Sequence, residues 1–176
     1  MITVFDKKAL DWLSLFLSER IHNGLRALTM PDGFTAISLA GQSGLLLFDR
    51  PNPGFRLAGY SKMDCPHWAA EAENFDYSVQ PYIPAPGASL AGSPLVDTVG
   101  DVMQVHYDIP GLVYWALCRI EEIDFHETDS HGRYPSSASH AVRFGYLGRP
   151  IVDEWCFILS QIILRKWPGL VLNKSE

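Results

Sequence analysis

The stretch Asp108-Ile109-Pro110-Gly111-Leu112-Val113-Tyr114-Trp115-Ala116-Leu117-Cys118 decides how this chain folds. Asp108 is suited to accept the orphan N–H groups of a helix start. Pro110 falls in the first turn, where its missing N–H costs nothing. The body from Leu112 is apolar on nearly all sides through Cys118, which predicts a central buried helix over 109–123 ending in Arg119-Ile120-Glu121-Glu122. Just upstream, Val102–Tyr107 reads as a strand. Downstream, Ile151, Trp155, Ile158, Leu159, Ile162 and Ile163 recur at helical spacing behind Arg149-Pro150, with Asp153, Glu154, Gln161 and Arg165 opposite. A long helix over 151–166 follows, stopped by Trp167-Pro168-Gly169.

Between these helices lie a polar segment (124–135), a short serine-capped helix (136–144) and a turn (145–148). Toward the N-terminus, Asp6 caps a helix over 6–23 whose apolar face carries Leu10, Leu13, Phe16, Leu17 and Ile21. Three short extended runs, 26–30, 34–39 and 44–48, are separated by Pro31-Asp32-Gly33 and by Gly41-Gln42-Ser43-Gly44, as in an antiparallel meander. Residues 49–101 hold seven of the twelve prolines and read as an irregular covering segment, with one short helix over 67–75 and extended chain over 80–94. The expectation is a single α+β domain over 1–176: a small antiparallel sheet packed against the two C-terminal helices, plus the N-terminal helix.

Charge excludes one class of partner. From Met63 to Cys118 there is no Lys or Arg, while Asp64, Glu71, Glu73, Asp76, Asp97, Asp101 and Asp108 stand in that window. With a net charge of −6 overall, the chain lacks the clustered cations that nucleic acid requires. An apolar content of 47% supplies a core, yet no run approaches the roughly 18 residues of a membrane span. The N-terminal MITVFDKKALDW does not read as a secretory signal, and Cys65, Cys118 and Cys156 are odd in number and far apart. Reduced thiols in a cytoplasmic protein are the expectation.

The only dense chemical cluster is Asp124-Phe125-His126-Glu127-Thr128-Asp129-Ser130-His131-Gly132-Arg133-Tyr134-Pro135, with His140 just after it. It reads first as a loop held by its own side chains, with Asp129 accepting backbone N–H groups and Arg133 pairing with a carboxylate. No metal site is predicted. The alternative is a divalent metal on Asp129, His131 and His140, although their spacing fits no established zinc pattern. Glu121 and Glu122, at the end of a buried helix, are acid–base candidates if burial raises one pKa, with Asp129 and His131 as further catalytic candidates. Gly41-Gln42-Ser43-Gly44 lacks the second glycine of a nucleophile elbow, and Cys65-Pro66-His67 is a pairing in sequence only. No phosphate loop or dinucleotide fingerprint is present. Trp68, Tyr77, Tyr82, Tyr114, Trp155 and Trp167 could stack on sugars, but core packing is the default for them.

Three segments carry a family resemblance. Asp108-Ile-Pro-Gly-Leu-Val-Tyr-Trp-Ala-Leu-Cys-Arg119-Ile-Glu121-Glu122 resembles "DIFG…F…LSRYEE", with Cys118 in place of a serine and Ile120 in place of an aromatic. Asp129-Ser-His131-Gly-Arg133-Tyr-Pro-Ser-Ser-Ala-Ser-His140-Ala resembles "D-x-HGRFPA-x-xS-x-A". Tyr146-Leu-Gly-Arg149-Pro-Ile-Val-Asp153-Glu154-Trp resembles "G-[FY]-L-x-RP-[IV]-V-[DN]-E-[WY]". In this order, over about 102–168, they are similar to the uncharacterised N-terminal domain found ahead of polysaccharide-deacetylase-like catalytic domains in bacteria. The metal motif and the His-x-x-x-His helix of that catalytic domain are not in this chain. The resemblance therefore implies a non-catalytic accessory module of carbohydrate metabolism, binding a deacetylase-like catalytic partner or a glycan. Arg119, Arg133, His140, Arg149, Asp153 and Glu154 are its expected binding or network residues. The competing expectations are a small metal-dependent hydrolase on the Asp129, His131 and His140 cluster, and a homodimer formed through the Trp-bearing faces.

Overall fold

The computed structural model describes residues 5–59, 62–77, 80–90 and 93–173. In chain order the elements are α1 (Lys7–Arg20), β1 (Leu25–Thr29), β2 (Thr35–Leu39), β3 (Leu45–Phe48) and α2 (Pro53–Arg56). Then come β4 (His67–Trp68), β5 (Ile83–Pro84), β6 (Val96–Val99), β7 (Val102–Val105), α3 (Ile109–Leu117), α4 (His140–Arg143) and α5 (Ile151–Lys166). Single 3-10 turns stand at Ala70–Glu73, Ile120–Glu122 and Ser136–Ala138. The class is α+β, as expected.

The meander forms as read. Asp6 caps α1 by accepting from the N–H groups of Lys8 and Ala9, and Ala9, Leu13 and Leu17 bury one face at four-residue spacing. Strands β1, β2 and β3 pair antiparallel in sequence. The sheet then departs from a purely antiparallel one. Strand β7 lies beside β3 and parallel to it, Leu46 opposite Met103 and Phe48 opposite Val105, and β6 closes the five-stranded order β1-β2-β3-β7-β6. A parallel neighbour requires a long crossover, and residues 49–101 supply it. The Pro-rich segment is therefore a connection with its own short elements: α2, the two-stranded β4–β5 ladder and β6. The helix expected over 67–75 is instead strand β4 followed by a 3-10 turn, with His67 paired to Pro84. Trp68 and Ile83 gain burial from that pairing.

The core centres on Trp155 of α5, which is fully buried. Its ring lies 4.5 Å from Tyr107 and 5.3 Å from Trp68, and its indole N–H donates to the Pro84 carbonyl at 2.8 Å. Stripe and boundaries of α5 match the reading from sequence, except that Glu154 is buried and not on the outer face. The apolar helix stops earlier than expected. After Cys118, Arg119 adopts a left-handed φ of 52°, and the 3-10 turn that follows buries Ile120. Likewise the expected 136–144 helix is broken at Ser139 into a 3-10 turn and α4.

Asp108 holds the crossover to the core. Its buried carboxylate accepts from the N–H of Gly111 at 3.0 Å, the N–H of Asn52 at 2.9 Å and Arg56 Nη2 at 2.8 Å. Arg56 also donates to Thr35 on β2, at 3.2 Å, and its guanidinium lies over Phe5 at 4.1 Å. A Cβ at position 111 would stand 2.5 Å from an Asp108 oxygen, so Gly111 keeps room for the cap. Losing one partner of a buried pair leaves the other charge uncompensated. Asp108→Asn is therefore expected to cost roughly 3–5 kcal/mol in urea unfolding. Replacing both charges, Asp108→Leu with Arg56→Met, should recover most of that loss.

Candidate functional site

The break at Arg119 turns the chain so that the Glu121 carboxylate reaches the start of α4. It accepts the His140 N–H at 3.0 Å and the Ser139 hydroxyl at 3.3 Å. Glu121 thus caps a helix from another element. Burial, the leading cause, holds its carboxyl above the usual carboxylate range. His140 itself has no exposed surface. Its Nε2 lies 2.9 Å from the Met63 carbonyl and its Nδ1 lies 2.6 Å from the Tyr146 hydroxyl. A carbonyl can only accept, so Nε2 carries the proton, and Nδ1 of the neutral ring accepts from Tyr146. Burial lowers the His140 pKa to about 4, keeping the ring neutral. Trp115 and Phe144 pack on the ring at centroid distances of 5.5 and 4.5 Å.

These residues border a pocket of about 200 Å³ between the end of α3, the α4–α5 turn and the start of α5. Arg119, Glu121, Glu122 and Arg149 all line it, with Trp115, Ala116, Ala141, Tyr146, Leu147 and Ile151. The structure therefore gathers four of the sequence-derived candidates. Arg119 and Glu122 form a two-pronged pair on the rim, Nε to Oε1 at 2.6 Å. Arg149 donates from all three of its nitrogens, through five bonds. Nε and Nη2 reach Glu154 Oε1 at 3.1 and 2.8 Å, and Nη2 also reaches the Tyr77 hydroxyl at 3.2 Å. Nη1 reaches Gln80 Oε1 at 3.2 Å and the Tyr82 carbonyl at 2.9 Å. That explains the burial of Glu154, and it pins the crossover to α5.

The remaining candidates lie apart from the pocket. Asp129, His131 and Arg133 close an exposed turn on themselves. Asp129 accepts the N–H groups of His131 and Arg133 at 2.8 and 3.0 Å, and its other oxygen takes Arg133 Nε and Nη2. Those bonds, the Arg133 N–H first, hold the Asp129 carboxyl below its usual range. Asp153 pairs with Arg20 on the surface. Among the described residues no three His, Cys, Asp or Glu side chains are grouped to hold a metal. The Asp129, His131 and His140 set does not converge, because His140 spends both ring nitrogens inside the core.

Several large apolar residues between positions 117 and 147 are exposed, and one of them, Leu147, lines the pocket. Leu117, Ile123, Val142, Phe144 and Leu147 are exposed, Leu147 by 69% and Leu117 by 48%. No periodic signal marks them, since they fall on the breaks and turns between helices. Of the six aromatic residues weighed for sugar stacking, Tyr82 is open at 54%, while Trp68, Tyr77, Trp155 and Trp167 are in the core. Trp115 is buried too, so tryptophan faces do not offer a dimer surface on that side. Sequence reasoning also missed the Arg56–Asp108 pair and an Asp49–His106 pair, whose partners are 52 and 57 positions apart.

Residues 59–168 match the model of a family described as a family of unknown function (DUF7033). No curated protein and no solved structure matches. The match spans the whole of the pocket and these exposed apolar residues.

The buried histidine gives a pH signature. Its folded pKa is about 4, below the unfolded value near 6.5, so the unfolded chain takes up the proton first. The stabilising contribution is present above pH 6.5 and is lost as pH falls toward 4, by about 3 kcal/mol in all. Chemical denaturation of the wild type and His140→Gln across this window should show their stability difference narrowing by that amount. A constant difference would contradict the assignment.

Proposed function

We propose a docking role for this chain, which belongs to the DUF7033 family of unknown function. The role is that of a non-catalytic accessory module that seats a polysaccharide-deacetylase-like catalytic domain on the face formed by residues 117–147. One observation carries the reading. Glu121, His140 and Arg149 of the resembling segments are spent on internal bonds that fix the start of α4 and the turn before α5, and in the same stretch Leu117, Ile123, Val142, Phe144 and Leu147 are exposed. Large apolar side chains left exposed beside polar groups are the kind of surface that an interaction site uses. Arg119 and Glu122, at the border, supply the charged edge usual at such interfaces.

A glycan is less well served by this face. Trp115 and Tyr146 line the pocket but are 3% and 5% exposed, so neither presents an open ring to a sugar. Acid–base catalysis is also poorly served. Glu121 is committed to capping α4 and His140 to bridging Met63 and Tyr146, while Asp129 and His131 sit in a separate turn. No helix among the described residues is long and apolar enough to cross a membrane. The reading includes a cytoplasmic location, supported by three free cysteines, with burial raising the thiol pKa of Cys65 to about 11 and of Cys156 to about 12.

Isothermal titration against a polysaccharide-deacetylase-like catalytic domain from the same genome tests the role. Binding in the micromolar range is expected, and Leu147→Asp should weaken it at least tenfold without loss of helical circular dichroism. Metal-dependent hydrolysis by the purified chain, no binding to the catalytic domain, or a dimer that buries this same face would each overturn it.

A further inference from the structure

A second pocket, of about 230 Å³, shares no residue with the first. It lies outside the carboxyl ends of the two parallel strands. Asp49 directly follows β3 and His106 directly follows β7, and the register Phe48 opposite Val105 brings them out of the sheet side by side. This is the edge at which open sheets with parallel strands take their ligands. Here His106 Nδ1 lies 2.9 Å from both Asp49 oxygens. A carboxylate accepts, so Nδ1 carries a proton, and in the neutral ring Nε2 keeps its lone pair. No protein group bonds to Nε2 among the described residues. His106 lines the pocket and Asp49 does not.

The other walls define what would fit. Arg50 is held by the Ser89 carbonyl and by the Ser93 hydroxyl, at 3.1 Å for the latter, with N–H groups to spare. The Ser89 side chain is exposed on the same wall. Asn52 is bonded at both amide atoms, giving to the Gly87 carbonyl at 2.9 Å and taking the Gly54 N–H at 2.8 Å, and a Cβ at Gly87 would collide with it at 1.9 Å. The start of α3 is already occupied by Asp108, whose charge Arg56 neutralises. An anion would therefore meet the Asp108 carboxylate and find the helix terminus taken. A divalent cation would find no group of three ligands among the described residues. What remains is a polar wall with His106 Nε2, an acceptor whenever the ring is neutral, donors at Arg50 and a hydroxyl at Ser89 that does both. That mixture complements hydroxyl groups, each of which donates once and accepts twice.

We propose that this pocket binds a small uncharged polyhydroxylated molecule the size of one sugar ring, with the Asp49-oriented His106 imidazole accepting from a hydroxyl and Arg50 donating to another. The site is independent of the docking face. The two share no lining residue, so either can fail without the other.

The test is NMR of the histidine ring signals in the full chain, titrated with D-glucose, N-acetylglucosamine and glycerol, and with inorganic phosphate as the charged counterpart. At least one of the two sugars should shift the His106 signals saturably in the low millimolar range, with glycerol weaker and phosphate without effect. His106→Ala, followed through the Tyr107 ring signals, should weaken sugar binding at least tenfold. Asp49→Asn, which leaves the ring in place but loosens its orientation, should weaken it severalfold and serves alone if the alanine variant does not fold. Failure of both sugars to perturb His106, saturable binding of phosphate in their place, or wild-type affinity in both variants would overturn the proposal.

Discussion

The fold depends on one buried carboxylate. Asp108 starts α3, and the same side chain fixes the backbone of Asn52 and the guanidinium of Arg56, which reaches on to Thr35. Three pieces far apart in sequence are thus tied through one charge: the helix after β7 and α2 with its cap Asn52 directly, and β2 through Arg56. Desolvation raises the pKa of that group, and Arg56 with the two backbone N–H groups opposes the rise. The parallel β3–β7 pairing is what makes the arrangement necessary. Two strands running the same way end on the same edge, so the loops that leave them must be organised together.

Much of this was legible locally. Asp6 and Asp108 announce themselves as caps by residue type and by the apolar runs that follow. The α5 stripe needs only its spacing, because a helix with one buried face writes that face into its period. What escaped is non-local. Alternation in 45–48 and 102–105 marks strands but carries no direction, so parallel pairing was invisible. The left-handed turn at Arg119 contradicts an apolar sequence that continues through Ile120. The turn leaves Ile120 buried at 1% exposure. Glu154 looked solvent-facing from periodicity alone, and the two bonds donated to it by Arg149, ahead of the helix, explain its place inside.

The candidate site shows the same division. The dense 124–135 cluster attracted attention through composition, yet its Asp129–Arg133 turn satisfies itself within five residues. The residues that do converge, Arg119, Glu121, Glu122 and Arg149, come from the ends of three different elements. Asp49 and His106 drew no notice at all, being isolated polar residues in sequence. Position was the available signal: each stands immediately after a strand, and strands that pair in register carry such residues to one edge.

These bonds also bear on why the proposed docking surface should rest on so many polar contacts. Leu117, Ile123, Val142, Phe144 and Leu147 sit on helix ends and turns, the parts of a chain that lose most freedom when a partner lands on them. Association then costs side-chain and loop ordering in addition to lost rigid-body motion. Here that ordering is already done. Glu121 fixes the start of α4 beneath Val142 and Phe144, His140 ties the same helix to Met63 and Tyr146, and Arg149 anchors the turn that carries Leu147. Under the proposed docking role this polar network has a use that fits its placement. It holds an apolar face rigid where hydrophobic packing alone, on the outside of the domain, has nothing to press against.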